Sequence, residues 1–212
     1  MPKSKSRSKK KRRQSAGKGD IPWGGAYSAR KRRRDIAIVA VVLVAIGGGG
    51  GFLWWQSQRA EAVFLTLAAA GESALARVRN MASAGGGHLN PGQTQVYEDR
   101  IPTSGIHDRR WVKPGMYDGP QRPTQLVHAL EHGNIVIYYQ QPAAAVLETL
   151  DGWAGLYGGQ WDGIVVTPSS SLGETVVLTA WRKRLDLSPF DPAAAAAFID
   201  AYRGRGPENP VR

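Results

Sequence analysis

Three histidines and a glutamate fall close together in the middle of this chain: His107, then His128, Glu131 and His132 in the run VHALEHGNIVIYY. Imidazole is the side chain most often used to hold zinc or copper, and two imidazoles four residues apart on one helix face can share an ion. Such a site needs a third ligand from elsewhere, and His107 and His88 are the imidazoles available. All four histidines of the chain lie between residues 88 and 132. Glu131, and Met116 if the ion is copper, are second-rank ligands. The order H-x-x-E-H also matches a metallohydrolase pattern, with Glu131 as general base and Glu208 as the well-spaced acid to complete the metal set. The bland alternative is a group of structural or solvated histidines bonded to loop carbonyls. Ser104 and Thr103 beside His107 read as turn caps rather than nucleophiles. Arg109, Arg110, Trp111 and Lys113 make a small basic-aromatic cluster that points to no ligand.

Helix geometry bears on these alternatives. At 100° per residue, Leu126, Leu130 and Val127 fall at about 0°, 40° and 100°, while His128 and His132 fall at about 200° and 240°. A helix over 124–132 that buries its leucines must turn both histidines the other way. They then face either water or a site built by the Pro- and Gly-rich stretch 83–122. His107 leaves a turn, Pro102 to Gly105. His88 sits in a glycine-rich loop that by itself suggests exposure.

The surrounding elements read as a small α+β domain. NIVIYY (134–139) is a strand, a helix covers 143–155, GIVVTP (163–168) and TVVLTAW (175–181) are two strands, and Asp191 caps a helix beginning at Pro192. The order β-α-β-β-α predicts helices covering a small, three-stranded sheet. After His132 the chain reads as scaffold.

Before this domain the chain is different. Residues 1–34 carry 14 of the 28 Lys and Arg against one acid, Asp20, whereas residues 56–212 carry 14 basic against 15 acidic residues. The formal charge of +11 therefore belongs to a tail, which argues against nucleic acid as the domain's partner. Residues 1–35 should be a disordered cytoplasmic tail, with Trp23 and Tyr27 near the inner headgroups. Residues 36–55, IAIVAVVLVAIGGGGGFLWW, hold no charge. As a helix they extend about 30 Å, the thickness of a hydrocarbon core. Trp54 and Trp55 would form an interfacial belt, and the basic cluster holds the N-terminus inside. The long n-region and the lack of an A-x-A site speak against cleavage. Gly47 and Gly51 offer a G-x-x-x-G face for a homodimer. The expected organisation is tail 1–35, transmembrane helix 36–55, juxtamembrane helix 56–82 packing through Val63, Leu67, Leu75 and Val78, and an extracytoplasmic domain 83–208. The chain is thus expected as a single-pass plasma-membrane protein of the cell envelope, in contact with the lipid bilayer. Without cysteine, disulfides and thiolate metal sites are excluded.

PTSGIH (102–107), GMYD (115–118), VHALEHGNIVIYY (127–139), LTAW (178–181) and FIDAYRGRGPE (198–208) together resemble the domain of unknown function family 3105, over roughly residues 83–208. The resemblance implies a single-span membrane protein of bacteria or archaea with an outward-facing domain, and it implies no chemistry. Ile101 and Ile106 stand where the family pattern usually has proline, in the turn that holds His107. Three readings follow: a copper- or zinc-binding envelope domain, a metal-independent interaction module of an envelope complex, and a hydrolase using His128, Glu131 and His132. No residue pattern names a reaction.

Overall fold

The computed structural model describes residues 24–212, leaving aside the side chains of residues 24–29 and of Ala45. Of the tail expected to be disordered over residues 1–35, residues 1–23, Trp23 included, lie outside the described residues, as does the Tyr27 side chain. Residues 24–35 are instead helical, because the helix of the apolar stretch continues into them. Helix α1 runs Gly24–Ala70, and the chain divides into two compact units at Phe52.

In the first unit the apolar stretch is exposed along its length, with Ile36, Val41, Leu43, Val44 and Phe52 all open. Among the described residues this is the one helix long and apolar enough to cross a membrane, with a mean hydropathy of 2.5 over its most apolar window. A Cβ at Gly47 or Gly51 would meet nothing within 4 Å, so that face of the helix is bare.

The second unit is a mixed sheet with helices on both faces. Its elements are a 3-10 turn Glu72–Arg77, β1 (Arg79–Asn80), β2 (Gly115–Met116), α2 (Pro123–His132), β3 (Ile135–Tyr139), α3 (Ala144–Leu156), β4 (Ile164–Pro168), β5 (Val176–Ala180), β6 (Lys183–Leu187) and α4 (Pro192–Tyr202). Six strands lie in the order β1-β6-β5-β3-β4-β2. β3 and β4 run parallel across the α3 crossover, and β5 returns antiparallel to β3. Period-two alternation sorts the strand residues between the two faces. Ile135, Ile137, Ile164, Val166 and Leu178 pack beneath α3 and α4 with Phe64 of α1. Val136, Tyr138, Val165 and Val177 pack beneath α2 with Leu126, Ala129 and Leu130. Asp191 caps α4 as expected, its carboxylate accepting from the amides of Ala193 and Ala194.

Three expectations are corrected. The sheet has three strands beyond the expected β3, β4 and β5: β1 and β2, two residues each and too short to show a period, and β6, whose sequence KRLDL reads as polar. Only Leu185 and Leu187 face in, while Arg184 and Asp186 pair with each other at its surface. The juxtamembrane helix ends at Ala70 rather than residue 82. Gly71 there lies so close to the backbone of Ala193 that any side chain would collide with it. Val63 is 69% exposed, and Phe64 and Ala68 are the residues of that turn that enter the core. Leu67 and Val78 pack at the core's margin as partly buried residues.

Candidate metal centre

α2 ends where Gly133 takes the left-handed conformation (φ 101°), and the cap donates to the carbonyls of Ala129 and Leu130. Leu126 and Leu130 go to the sheet, as the helical plot requires. His128 and His132 go the other way and are nevertheless buried, 4% and 2% exposed. Segments distant in sequence close over them.

The first of these is the stretch 83–122. His107 N–H donates to the Gly87 carbonyl (3.0 Å) and Leu89 N–H to the His107 carbonyl (2.7 Å), a parallel bridge that sets His88 beside His107. The turn before His107 is pinned by Ser104 Oγ, which accepts from the Ala84 amide (3.0 Å), and by Thr103 O, which accepts from the Arg182 amide (3.0 Å). Gly105 (φ 130°) rests on the Tyr97 ring, where a side chain would not fit. Ile101 is buried in the core beneath α2, which anchors the start of the turn holding His107, while Ile106 is exposed.

The second segment is the tail after α4, read from sequence as scaffold. Gly204 N–H donates to the Gly133 carbonyl (2.9 Å) and Glu208 N–H to the Glu131 carbonyl (3.3 Å), and Gly206 passes against Gly133 with no room for a Cβ on either. This brings Glu208 Oε2 to 3.1 Å from His132 Nε2 and 3.9 Å from His128 Nε2. The third segment, the α3–β4 loop, is held by Asn134 Oδ1, which accepts from the Gly163 amide (2.7 Å), and by the Arg203 guanidinium on Asp162. It places the Trp161 ring 4.3 Å from that of His132. Trp111 lies 4.7 Å from His132, and Trp181 6.4 Å from His107.

The four imidazoles form a contiguous cluster. Ring centroids lie 5.0 Å apart for His88 and His107, 4.8 Å for His88 and His128, 4.9 Å for His107 and His128, and 4.6 Å for His128 and His132. Their ligand atoms fall into two groups, each within 4.8 Å throughout: His88, His107, His128 and Glu131, and His128, His132 and Glu208. These groupings are compatible with metal binding. His107 and His132 are each brought to His128 but fall in different groups. Met116 falls in neither: it sits on β2 opposite Val166 and packs at the margin of the core under α3 and α4.

Hydrogen bonds fix the tautomers. His107 Nδ1 lies 2.8 Å from the Gly105 carbonyl, and His128 Nδ1 2.8 Å from the Asp108 carbonyl. A carbonyl only accepts, so both rings carry their proton on Nδ1 and present a bare Nε2 when neutral. Burial pushes the His128 pKa down to about 4, reinforced by the neighbouring histidines and opposed by the Asp108 carbonyl. Burial lowers that of His132 too, against the pull of the Glu208 and Glu131 carboxylates. Both are neutral at pH 7, the form a metal requires.

The sequence pointed to the histidines and, through the hydrolase pattern, to Glu208. It did not find Trp161, which sits in a loop with no period, nor Trp181, read as the last residue of a strand and lying just past the end of β5, and Trp111 stood in a cluster without an assigned ligand. A family model described as protein of unknown function (DUF3105) matches residues 88–212. No curated protein and no solved structure matches the chain.

Proposed function

The chain belongs to that family of proteins of unknown function, and from this premise we propose that its second unit is a metal-binding domain, for copper or zinc, held outside the cytoplasm by α1. One observation carries the reading. His107 is fully buried with its Nδ1 bonded to Gly105, and its Nε2 lies 3.0 Å from Glu131 Oε2 without making a hydrogen bond among the described residues. A nitrogen lone pair and a carboxylate facing each other in a dry site repel unless a proton or a metal ion lies between them, and the convergence of further imidazoles on the same point favours the metal ion. Glu208, part-exposed, approaches the other side of the cluster, its Oε2 3.1 Å from His132 Nε2 and 3.9 Å from His128 Nε2. The donor set of nitrogen and carboxylate oxygen suits zinc or copper(II).

Elemental analysis of the full-length protein, purified in detergent without a nickel column, tests this. About one equivalent of zinc or copper is expected in the wild type, lost in His128→Ala. A wild type free of metal that also fails to take it up refutes the reading. The basic residues before the apolar stretch support the orientation. Exported reporters should be active when fused after residue 60 and after residue 209, and a fusion active in the cytoplasm refutes it. A hydrolase is the second reading, favoured by the H-x-x-E-H order of His128, Glu131 and His132 and by Glu208 joining the two histidines. Turnover of peptide or ester substrates abolished by Glu131→Gln would support it, and Glu131 facing His107 counts against a free general base.

A further inference from the structure

His128 belongs to both ligand groups, yet it has one nitrogen to give, because Nδ1 is bonded to the Asp108 carbonyl. An imidazole nitrogen has a single in-plane lone pair and binds one ion. The groups also differ in kind. One offers four ligands, His88, His107, His128 and Glu131, enough to close a tetrahedral shell; the other offers three, His128, His132 and Glu208, leaving a coordination position open. Each group carries one exposed ligand, His88 in the first and Glu208 (side chain 40% exposed) in the second, so the groups differ in the buried remainder: His107, His128 and Glu131 against His128 and His132 alone. Two divalent ions would bring four positive charges against two carboxylates in a buried site, and neither carboxylate belongs to both groups.

On the reading that the cluster binds metal, we propose that it holds one divalent ion in two alternative positions sharing His128. The open, three-ligand position at Glu208 and His132 captures the ion. The four-ligand position at His107 and Glu131 retains it, and the His128 ring stays bound as the ion changes partners. Such a site exchanges ions with solvent or a donor ligand more readily than a closed four-ligand shell does.

Trp181 lies beside His107 and Trp161 beside His132, while Trp111 lies against both His132 and the shared His128, so tryptophan emission reports ion entry and the copper signals tell the two positions apart. The experiment loads the full-length protein in detergent with copper(II) and follows it by electron paramagnetic resonance and tryptophan quenching. At one equivalent the wild type should show two superimposed copper signals, one richer in nitrogen hyperfine lines. Glu208→Gln, a change at a part-exposed side chain that leaves the fold intact, should remove the signal poorer in nitrogen and slow quenching about ten-fold. His107→Ala should remove the other signal, and His128→Ala both. Three results overturn the proposal while leaving metal binding intact: a single signal in the wild type, loss of all copper in Glu208→Gln, or two equivalents with spin coupling between them. A wild type that binds no copper or zinc overturns both proposals.

Discussion

The two sides of α2 are buried equally and by different means. On one side Leu126 and Leu130 meet Val136 and Val165 of the sheet; on the other His128 and His132 meet the 83–122 stretch, the α3–β4 loop and the tail. Burial on the leucine side is favourable in itself, because it removes apolar area from water. On the histidine side it costs free energy, because each ring loses water and gains only part of its hydrogen bonding. His107 Nε2 makes no hydrogen bond among the described residues although the Glu131 carboxylate faces it. The leucine side therefore stabilises the fold, and the histidine side is stabilised by it. Burial alone says nothing of purpose; burial that leaves convergent lone pairs unsatisfied points to a ligand.

The comparison predicts unequal responses to truncation in metal-free protein. Leu130→Ala, opening a cavity against the sheet, should lower stability by about 3 kcal/mol in chemical denaturation. His128→Ala should cost less, since it removes an imidazole that is expensive to bury as well as one hydrogen bond. Equal losses would erase the distinction.

The sides should also differ in their response to acid. His128 has a folded pKa of about 4, below the ordinary value of 6.5, so the unfolded chain takes up its proton first as pH falls. Stability is full above about pH 6.5 and declines by up to about 3 kcal/mol by pH 4. His132, shifted in the same direction, adds to the loss. Denaturant midpoints of chelator-treated wild type should fall across that window, and those of His128→Ala should fall less.

Smaller effects sharpen the comparison. Gly133→Ala places a side chain in a left-handed conformation against Gly206 and the Trp161 carbonyl. It should lower stability by about 1–3 kcal/mol and weaken metal retention, since it displaces the tail carrying Glu208. Val63→Ala, at a position expected from sequence to pack but exposed here, should change stability by less than about 0.5 kcal/mol. A larger loss would return Val63 to the core.

What the sequence disclosed follows the same division. Strands β3, β4 and β5 and helix α4 were legible because apolar runs, turn residues and an Asp-Pro cap are local signals. The opposition of leucines and histidines on α2 was legible because it is a rotation about one axis. β6 was hidden by its charges, and the end of α1 by a contact between Gly71 and Ala193, residues remote in sequence. His88, named as an available imidazole in a loop that suggested exposure, is exposed and yet joins the cluster through a backbone bridge to His107 that no local pattern announces. Glu208 and Trp161 arrive by closure of the tail and the α3–β4 loop over Gly133 and Asn134, which only the folded chain shows. Met116 looked like a ligand by residue type, and on β2 it packs instead, partly buried, at the margin of the core under α3 and α4.

The claim that the buried imidazoles are built for a cation is tested most directly by X-ray absorption at the metal edge of the full-length protein. The account predicts a first shell of nitrogen and oxygen at about 2.0–2.2 Å, multiple scattering from at least two imidazoles, and no sulfur. A sulfur shell at about 2.3 Å or beyond, which would bring Met116 back as a ligand, or a spectrum lacking imidazole scattering would contradict it.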